Sequence, residues 1–307
     1  MKIALKTFNE EQFDRGLADK NVDILYIGSE FCYHKIGNTE ANIVRIKRAR
    51  DANKKVYLAL PIIQQSHIEG TADLIDGVLG CGEEVTFVIN DLGLIYYLGE
   101  KYGDKDYKVY LGRLLNKNIE SCPWHKHIIR NESEFIKKAM FTNSANSMVL
   151  VDYLKRFKVE GIEANITEEQ NESLKELKNY GYELVMNYDY TYITSGRICP
   201  TAYYFKQKNP LCNELCNTHL SLELSQIKDV FSLKEDYYKN VETSKWYGEM
   251  KVYGNAVFKE NEVCNLEIYK NLYDVIVFDS RKYDGENWGN LSYNFELVKS
   301  WRQEVEA

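Results

Sequence analysis

The sequence predicts an α/β fold: a TIM-type (β/α)8 barrel, either full or else incomplete or irregular, that occupies residues 1–307 as one domain. Two observations predict it. Short β-rich apolar segments alternate with segments of helical periodicity along most of the chain. Seven or eight such pairs fit the length, and a chain this long forms one parallel barrel as readily as two domains.

Eight segments have the character of buried parallel strands, which are continuous apolar runs rather than alternating ones. The run VDILYIG ends in a glycine, and KVYLAL is stopped by Pro61, which cannot donate to a strand ladder. The predicted strands are Lys2–Lys6, Val22–Gly28, Lys55–Leu60, Glu84–Asn90, Tyr107–Leu111, Gly161–Ile166, Glu183–Tyr188 and Asp274–Phe278.

Helical periodicity follows these strands. Asn38 and Thr39 offer an N-cap for the first of the helices given below, since a short polar side chain before an amphipathic run satisfies free backbone N–H groups. The predicted helices are Glu40–Arg50, Ile68–Leu79, Leu92–Tyr102, Glu134–Thr142, Met148–Phe157, Glu168–Tyr180 and Asn294–Glu306.

One region breaks the alternation. Residues 195–262 contain no clean succession of long helices and carry only the short strand-like pieces SLELSQ, EMKVYG and NAVF. We expect an excursion from the barrel here, formed by a cysteine-rich βα loop and an insertion. No solenoid repeat and no low-complexity tract occurs in the sequence.

Composition and charge exclude several classes of protein. The chain is 44% hydrophobic and 28% charged, which is ordinary for a globular domain. With 39 Lys and Arg against 46 Asp and Glu, the net charge of −7 argues against a basic nucleic-acid-binding face. No apolar run approaches the roughly 18 residues of a membrane span, and the N-terminus lacks the pattern of a signal peptide, so we expect a cytoplasmic protein.

Cysteine usage is the most unusual feature of the sequence. Without an export signal, seven cysteines are expected to be thiols or metal ligands rather than disulfides. Three of them occur as C-x12-C-x3-C, at Cys199, Cys212 and Cys216, shortly after a predicted strand. Cys32 follows another strand, and the carboxyl ends of barrel strands open on one face, where sites of this fold lie.

The spacing of these cysteines leaves three interpretations open. Four thiolates at one face suit a 4Fe-4S cluster, whose irons require sulfur ligands. Zinc instead would be bound by Cys199, Cys212, Cys216 and His219, and Cys32 would then be an unrelated core thiol. In the third interpretation, the cysteines are small buried apolar residues.

Several of these segments together resemble a known family. The stretch VDILYIGSEFCYHK, the later NDLGLIYYL and LGRLLN, and the C-x12-C-x3-C pattern are similar to the collagenase-like peptidase family of unassigned mechanism. The similarity is greatest to its short UbiV-type members, which act in oxygen-independent ubiquinone biosynthesis. It covers residues 20–116 and 190–216, and weakly NWGN near the C-terminus, whereas residues 217–262 match nothing in the family.

The resemblance implies a TIM-type barrel with a 4Fe-4S cluster bound by Cys32, Cys199, Cys212 and Cys216. It further implies oxygen-independent hydroxylation of a small aromatic or quinone precursor, prephenate as oxygen donor, and a paralogous family member as heterodimer partner. Protease activity is not expected, because the sequence has neither a Ser/His/Asp arrangement nor HExxH. Two alternatives remain open: a tRNA or rRNA hydroxylation factor, and a non-enzymatic scaffold subunit stabilised by zinc or a cluster.

Five further residues are candidate catalytic groups, and each also has an ordinary structural explanation. Glu30, Asp91 and Asn116 follow predicted strands, where barrel enzymes place functional side chains, although Asp91 also suits a helix N-cap. Arg113 would clamp a carboxylate of a prephenate-like molecule or form a surface ion pair. His34 would contact a cluster sulfur or act as an acid, or lie solvated in a loop.

Aromatic residues and the remaining thiols complete the candidates. A tyrosine cluster would stack an aromatic substrate or simply pack the barrel rim; its members are Tyr188, Tyr190, Tyr192, Tyr203 and Tyr204. Metal-like spacing also occurs in SCPWHKH, at Cys122, His125 and His127, where a surface turn is the alternative. We expect Cys81 and Cys264 to be ordinary thiols.

Overall fold

The computed structural model describes most of the chain. The described residues are 1–103, 105–119, 129, 131–166, 171–207, 212, 215–223, 249–261, 269, 271–283 and 287–306. They form twelve strands, which in chain order are β1 (Lys2–Lys6), β2 (Ile24–Gly28), β3 (Lys55–Leu60), β4 (Val85–Ile89), β5 (Lys108–Leu111), β6 (Val159–Asn165), β7 (Glu183–Asn187), β8 (Tyr190–Ser195), β9 (Leu220–Glu223), β10 (Glu249–Tyr253), β11 (Ala256–Glu260) and β12 (Val275–Asp279).

Eight of these strands close into a parallel barrel. Strands β1 to β7 lie side by side in chain order, and β12 pairs in parallel with both β7 and β1, which closes the ring. The TIM-type α/β barrel that the sequence predicts is therefore confirmed, with all eight predicted barrel strands present. The continuous apolar character of these runs is explained by burial on both faces.

Helices follow the barrel strands and cover them. They are α1 (Glu10–Ala18), α2 (Thr39–Asp51), α3 (Ile68–Gly80), α4 (Leu92–Tyr102), α5 (Glu134–Phe141), α6 (Met148–Arg156), α7 (Asn171–Asn179), α8 (Pro200–Tyr204) and α9 (Trp288–Glu306). Asn38 caps α2 as predicted, since its side chain accepts from the Ala41 amide. None of the helices in the described ranges is long and apolar enough to cross a membrane.

The predicted excursion is a small antiparallel sheet with the strand order β8-β11-β10-β9. All three short strand-like pieces of the sequence contribute to it, as β9, β10 and β11. The sheet begins earlier than predicted, at Tyr190, because β8 follows β7 after a two-residue connection and pairs with β11. Tyr190, Phe258 and Leu114 share an apolar cluster, which places this sheet over the carboxyl ends of the barrel strands.

The interior of the barrel is filled. Small and β-branched residues share it with three tyrosines, Tyr26, Tyr57 and Tyr110. The rings of Tyr26 and Tyr57 lie 5.0 Å apart between centroids, and those of Tyr57 and Tyr110 lie 5.2 Å apart. Because the interior is a packed core rather than a channel, a functional site belongs at the mouth of the barrel.

Replacement of Gly28 by alanine tests the closure of the barrel at β2. Gly28 has φ +80°, and a Cβ there would lie 2.4 Å from the Ala59 carbonyl oxygen on β3. Left-handed strain and overpacking together are expected to lower the free energy of unfolding by about 2–4 kcal/mol. Gly82→Ala is the matched control, since Gly82 has φ +75° but no atom within 4 Å; it should cost only about 1 kcal/mol. Equal losses in urea unfolding would contradict the steric argument.

Candidate functional site

A cavity of about 50 Å³ lies at the mouth of the barrel, at the carboxyl ends of β1 and β2. Its lining combines charged groups and thiols: Lys6, Glu30, Cys32, Cys216 and Arg281. These residues come from the barrel, from the loop after β2 and from the region of the small sheet. The cavity is therefore where the strand-end rule for this fold predicts a site.

Local structure fixes three of the four cysteines that the sequence singles out. The Cys32 amide donates to Ser29 Oγ at 3.1 Å, which holds the loop after β2. Cys199 is the N-cap of α8, where its sulfur accepts from the Ala202 amide at 3.4 Å. Cys216 lies in a short 3-10 turn, and a Cβ on Gly254 would come within 3.6 Å of its sulfur.

Cys32 and Cys216 are affected by the charges of the other thiols. Burial, together with the smaller effects of Cys216, Cys212 and Cys199, raises the pKa of the Cys32 thiol to about 11. Burial also raises the pKa of Cys216. Both thiols are thus neutral at ordinary pH in the metal-free protein, and a bound cation would be needed to deprotonate them.

The thiols are neighbours without forming a finished ligand cage. Within the described ranges, no three His, Cys, Asp or Glu side chains already surround a point where a metal ion could be held. Cys212 is exposed. Two of the four thiols, Cys32 and Cys216, share the cavity lining, and the charges of Cys199 and Cys212 act on both. Thiols are the donors that a sulfur-ligated group requires, so the residue types fit such a group.

His219 contacts Glu249 and Tyr253. Its Nε2 lies 3.8 Å from Glu249 Oε1, and its ring centroid lies 5.6 Å from that of Tyr253. Cys32 lines the cavity with Cys216, so it is not the isolated core thiol that the zinc interpretation assumes.

Behind the cavity lies a buried network of two cations and two carboxylates. Lys6 Nζ donates to Glu30 Oε1 at 2.7 Å and to Asn187 Oδ1 at 2.6 Å. Arg113 Nη2 donates to the other oxygen of Glu30 at 2.9 Å, and Arg113 Nη1 donates to the Tyr190 carbonyl. The second carboxylate, Glu163, lies 3.7 Å from Lys6 Nζ. All four charged side chains are buried.

The two carboxylates of this network have opposite pKa shifts. Burial alone would raise the pKa of Glu30, but the charges of Arg113 and Lys6 outweigh it and hold that pKa well below its usual range. Burial raises the pKa of Glu163 to about 7, and Lys6 offsets this only in part. Glu163 Oε1 has no hydrogen-bond partner. One carboxylate therefore stays ionised while the other titrates near neutral pH.

No family model matches this chain, and the search of curated proteins finds no match. The barrel geometry and the cavity therefore carry the functional argument, together with the motifs in the sequence.

Three of the five candidate catalytic residues lie at the cavity, or in or beside the buried network behind it. Glu30 lines the cavity. Asn116 is buried beside the network and donates to the Glu163 carbonyl at 3.0 Å, and its Oδ1 has no partner. Arg113 forms a buried ion pair rather than the surface pair considered from the sequence, so a role as a carboxylate clamp remains a prediction.

The other two candidates, Asp91 and His34, belong neither to the cavity lining nor to the buried network. Asp91 caps α4: one oxygen accepts from Gly93 and Leu94 amides, and the other accepts from the Ile63 amide at 3.0 Å. The helix-cap interpretation of Asp91 is therefore the one that the structure shows. His34 is exposed, and its ring centroid lies 6.0 Å from that of His67.

The predicted tyrosine cluster separates into two groups. Tyr188, Tyr190 and Tyr192 are buried in the packing of the barrel and small sheet, whereas Tyr203 and Tyr204 are exposed on α8. Cys81 is half-buried and donates to the Val78 carbonyl, as an ordinary thiol does. Four further residues lie outside the described residues: the metal-like candidates Cys122, His125 and His127, and the expected ordinary thiol Cys264.

Sequence reasoning missed Lys6, Glu163 and Asn187. Each lies in the carboxyl-terminal half of a barrel strand whose neighbouring positions are buried, in KIALK, VEGIEAN and ELVMN. A polar residue at such a position is the signal that would have identified them, since a buried charge is retained only with a partner.

Proposed function

We propose that this chain is an iron-sulfur protein in which Cys32, Cys199, Cys212 and Cys216 bind a 4Fe-4S cluster at the mouth of the barrel. The observation that supports the proposal is that Cys32 and Cys216, from distant parts of the chain, line one cavity, where the charges of Cys199 and Cys212 also act on them. Four thiolates are the donor set that iron-sulfur clusters require. Such a cluster would supply redox or Lewis-acid chemistry at the cavity.

The reaction we propose is oxygen-independent hydroxylation of a small aromatic or quinone precursor. Its support is the resemblance of residues 20–116 and 190–216 to the collagenase-like peptidase family. On the same basis, the chain would act with a paralogous partner and with a prephenate-like oxygen donor. Lys6 and Arg281 supply positive charge in the cavity, which suits an acidic donor.

The protein's own residues have two roles in this proposal. Lys6 and the ionised Glu30 fix a polar floor in the cavity through their 2.7 Å ion pair. Tyr26 and Tyr253 add aromatic surface to the lining, on which an unsaturated ring can pack.

Zinc is the second candidate for the thiols. It would use Cys199, Cys212 and Cys216, with His219 as the fourth ligand. The position of Cys32 in the cavity lining favours the cluster over this alternative. RNA hydroxylation is disfavoured by the net charge of −7, and a salt-sensitive gel shift with tRNA or rRNA would reinstate it.

Metal analysis of the anaerobically purified chain tests the proposal. We expect about four irons and about four sulfides per chain, with visible absorption that bleaches in air. About one zinc per chain without sulfide would overturn the cluster and favour a structural site. Hydroxylation assays with prephenate and the partner chain are the next step only if iron and sulfide are found.

A further inference from the structure

We propose that the cavity beside Lys6 binds a small monoanion, a carboxylate group or an inorganic ion of that size, and that Glu163 takes up one proton when the anion binds. The inference stands on the buried network of Lys6, Glu30, Arg113 and Glu163; Cys32 and Cys216 line the same cavity.

Lys6 is a buried cation in the cavity lining. An ammonium group has three N–H donors, and two of those on Lys6 are used by Glu30 and Asn187. Glu163 Oε1 lies 3.7 Å from Lys6 Nζ, beyond hydrogen-bond distance, and is unpaired. The described lining also includes Arg281, which is paired with Asp279 at 2.6 Å, and Lys35, which donates to Asn217 at 2.8 Å in an exposed contact. Neither of these two cations belongs to the buried network.

The size of the cavity limits the ligand. A polar cavity of roughly 10–15 Å³ on this measure already holds one water molecule. The cavity measures about 50 Å³, which suits formate, nitrate or the carboxylate group of a larger molecule.

Charge balance requires a proton. With all four groups ionised, the two positive charges of Lys6 and Arg113 match the two negative charges of Glu30 and Glu163. An added anion leaves one uncompensated negative charge in a buried site, where it is costly. Protonation of one carboxylate restores neutrality.

Glu163 is the carboxylate that accepts this proton. Its charged neighbours and titratable neighbours on the packed elements are Lys6 on β1, Tyr26 on β2, Glu30 in the loop after β2 and Arg113 in the loop after β5. Glu30 is held ionised by hydrogen bonds from both cations, whereas Glu163 Oε1 accepts none. The raised pKa of Glu163, about 7, agrees with this assignment.

Because anion binding is coupled to protonation of Glu163, the direction in which anion affinity changes with pH is fixed. Below pH 7, Glu163 already holds its proton, so anion affinity should be high and independent of pH. Above pH 7, each bound anion must bring a proton with it, so the dissociation constant should rise up to about tenfold per pH unit.

Titration of the full-length chain with formate, followed by NMR at pH 6, 7 and 8.5, measures this dependence. Nitrate is the second probe, and formamide is the neutral probe of the same shape. Binding of formate alone identifies a carboxylate site, and binding of both anions identifies a general anion site; either supports the proposal. Equal binding of formamide, or a dissociation constant for formate that does not change with pH, would overturn it.

Three variants locate the effect. Glu163→Gln should bind formate at every pH with the affinity that the wild type shows at pH 6, because glutamine mimics the neutral acid. Lys6→Met should weaken formate binding at least about tenfold. Glu160→Gln, an exposed position on the same strand, should behave as wild type. Unchanged formate binding by Lys6→Met would refute the site.

A measurement on the wild type alone keeps the inference testable if a buried variant does not fold. Calorimetry of formate binding in two buffers of different ionisation enthalpy counts protons. About one proton per formate should be taken up at pH 8.5 and almost none at pH 6. No uptake at pH 8.5 would overturn the role of Glu163.

Discussion

Replacement of Cys32 by alanine is expected to reduce the iron content of the anaerobically purified chain from about four atoms to less than about one. Cys32 is the only one of the four thiols that comes from the loop after β2, so its loss would remove the ligand that we propose ties a cluster to the barrel wall. A three-thiol site would expose one iron and make the cluster labile to oxygen and chelators.

Two control variants separate this outcome from general damage. Cys81→Ala removes a thiol that hydrogen-bonds only its own helix terminus and should leave iron and sulfide unchanged. His219→Ala removes the proposed zinc ligand, which in this structure lies near Glu249, and should also leave iron unchanged. The opposite pattern, zinc retained in Cys32→Ala and lost in His219→Ala, would establish a Cys3His zinc site and remove the cluster from the proposal.

The barrel strands were predictable because they are buried on both faces. Continuous runs such as VDILYIG and DVIVF need no partner information to be recognised, and each was confirmed as a strand. The strand-end rule likewise placed Cys32 and Glu30 at the mouth. Both inferences depend on local sequence and on a rule that applies to every barrel.

The pairing of charges was not predictable in the same way. Arg113 and Glu30 are 83 residues apart, and Lys6 and Asn187 are 181 residues apart, so no spacing in the sequence joins them. Asp91 shows the converse limit. The same position satisfies both a catalytic and a capping interpretation, and only the hydrogen bonds to Gly93 and Leu94 decide between them.

The region after β7 shows why the excursion was predicted only in outline. One pairing joins strands far apart in the chain, β8 with β11, whereas β9 with β10 and β10 with β11 are pairs of consecutive strands. For Tyr190 and Tyr192 the sequence left substrate stacking and rim packing open, because aromatic residues suit both. Burial in the cluster with Phe258 decides for packing.

Arg113 is expected to contribute most to stability among the single charges of the network. The guanidinium lies over the rings of Phe31 and Phe258, at 5.5 and 5.3 Å from their centroids, and pairs with Glu30 at 2.9 Å. Arg113→Met keeps most of the volume but leaves Glu30 buried with one cation fewer. Breaking a buried pair in this way should lower the free energy of unfolding by about 3–5 kcal/mol.

Urea unfolding of three variants tests whether that loss is electrostatic. Arg156→Met, at a side chain that is 71% exposed and 4.0 Å from Glu100, should change the unfolding free energy by less than about 0.5 kcal/mol. The double variant Arg113→Met with Glu30→Gln should recover much of the loss, because the uncompensated charge is removed together with its partner. If the double variant is as unstable as Arg113→Met alone, the loss comes from packing against the two phenylalanines, and the network does not act as a charge-balanced unit.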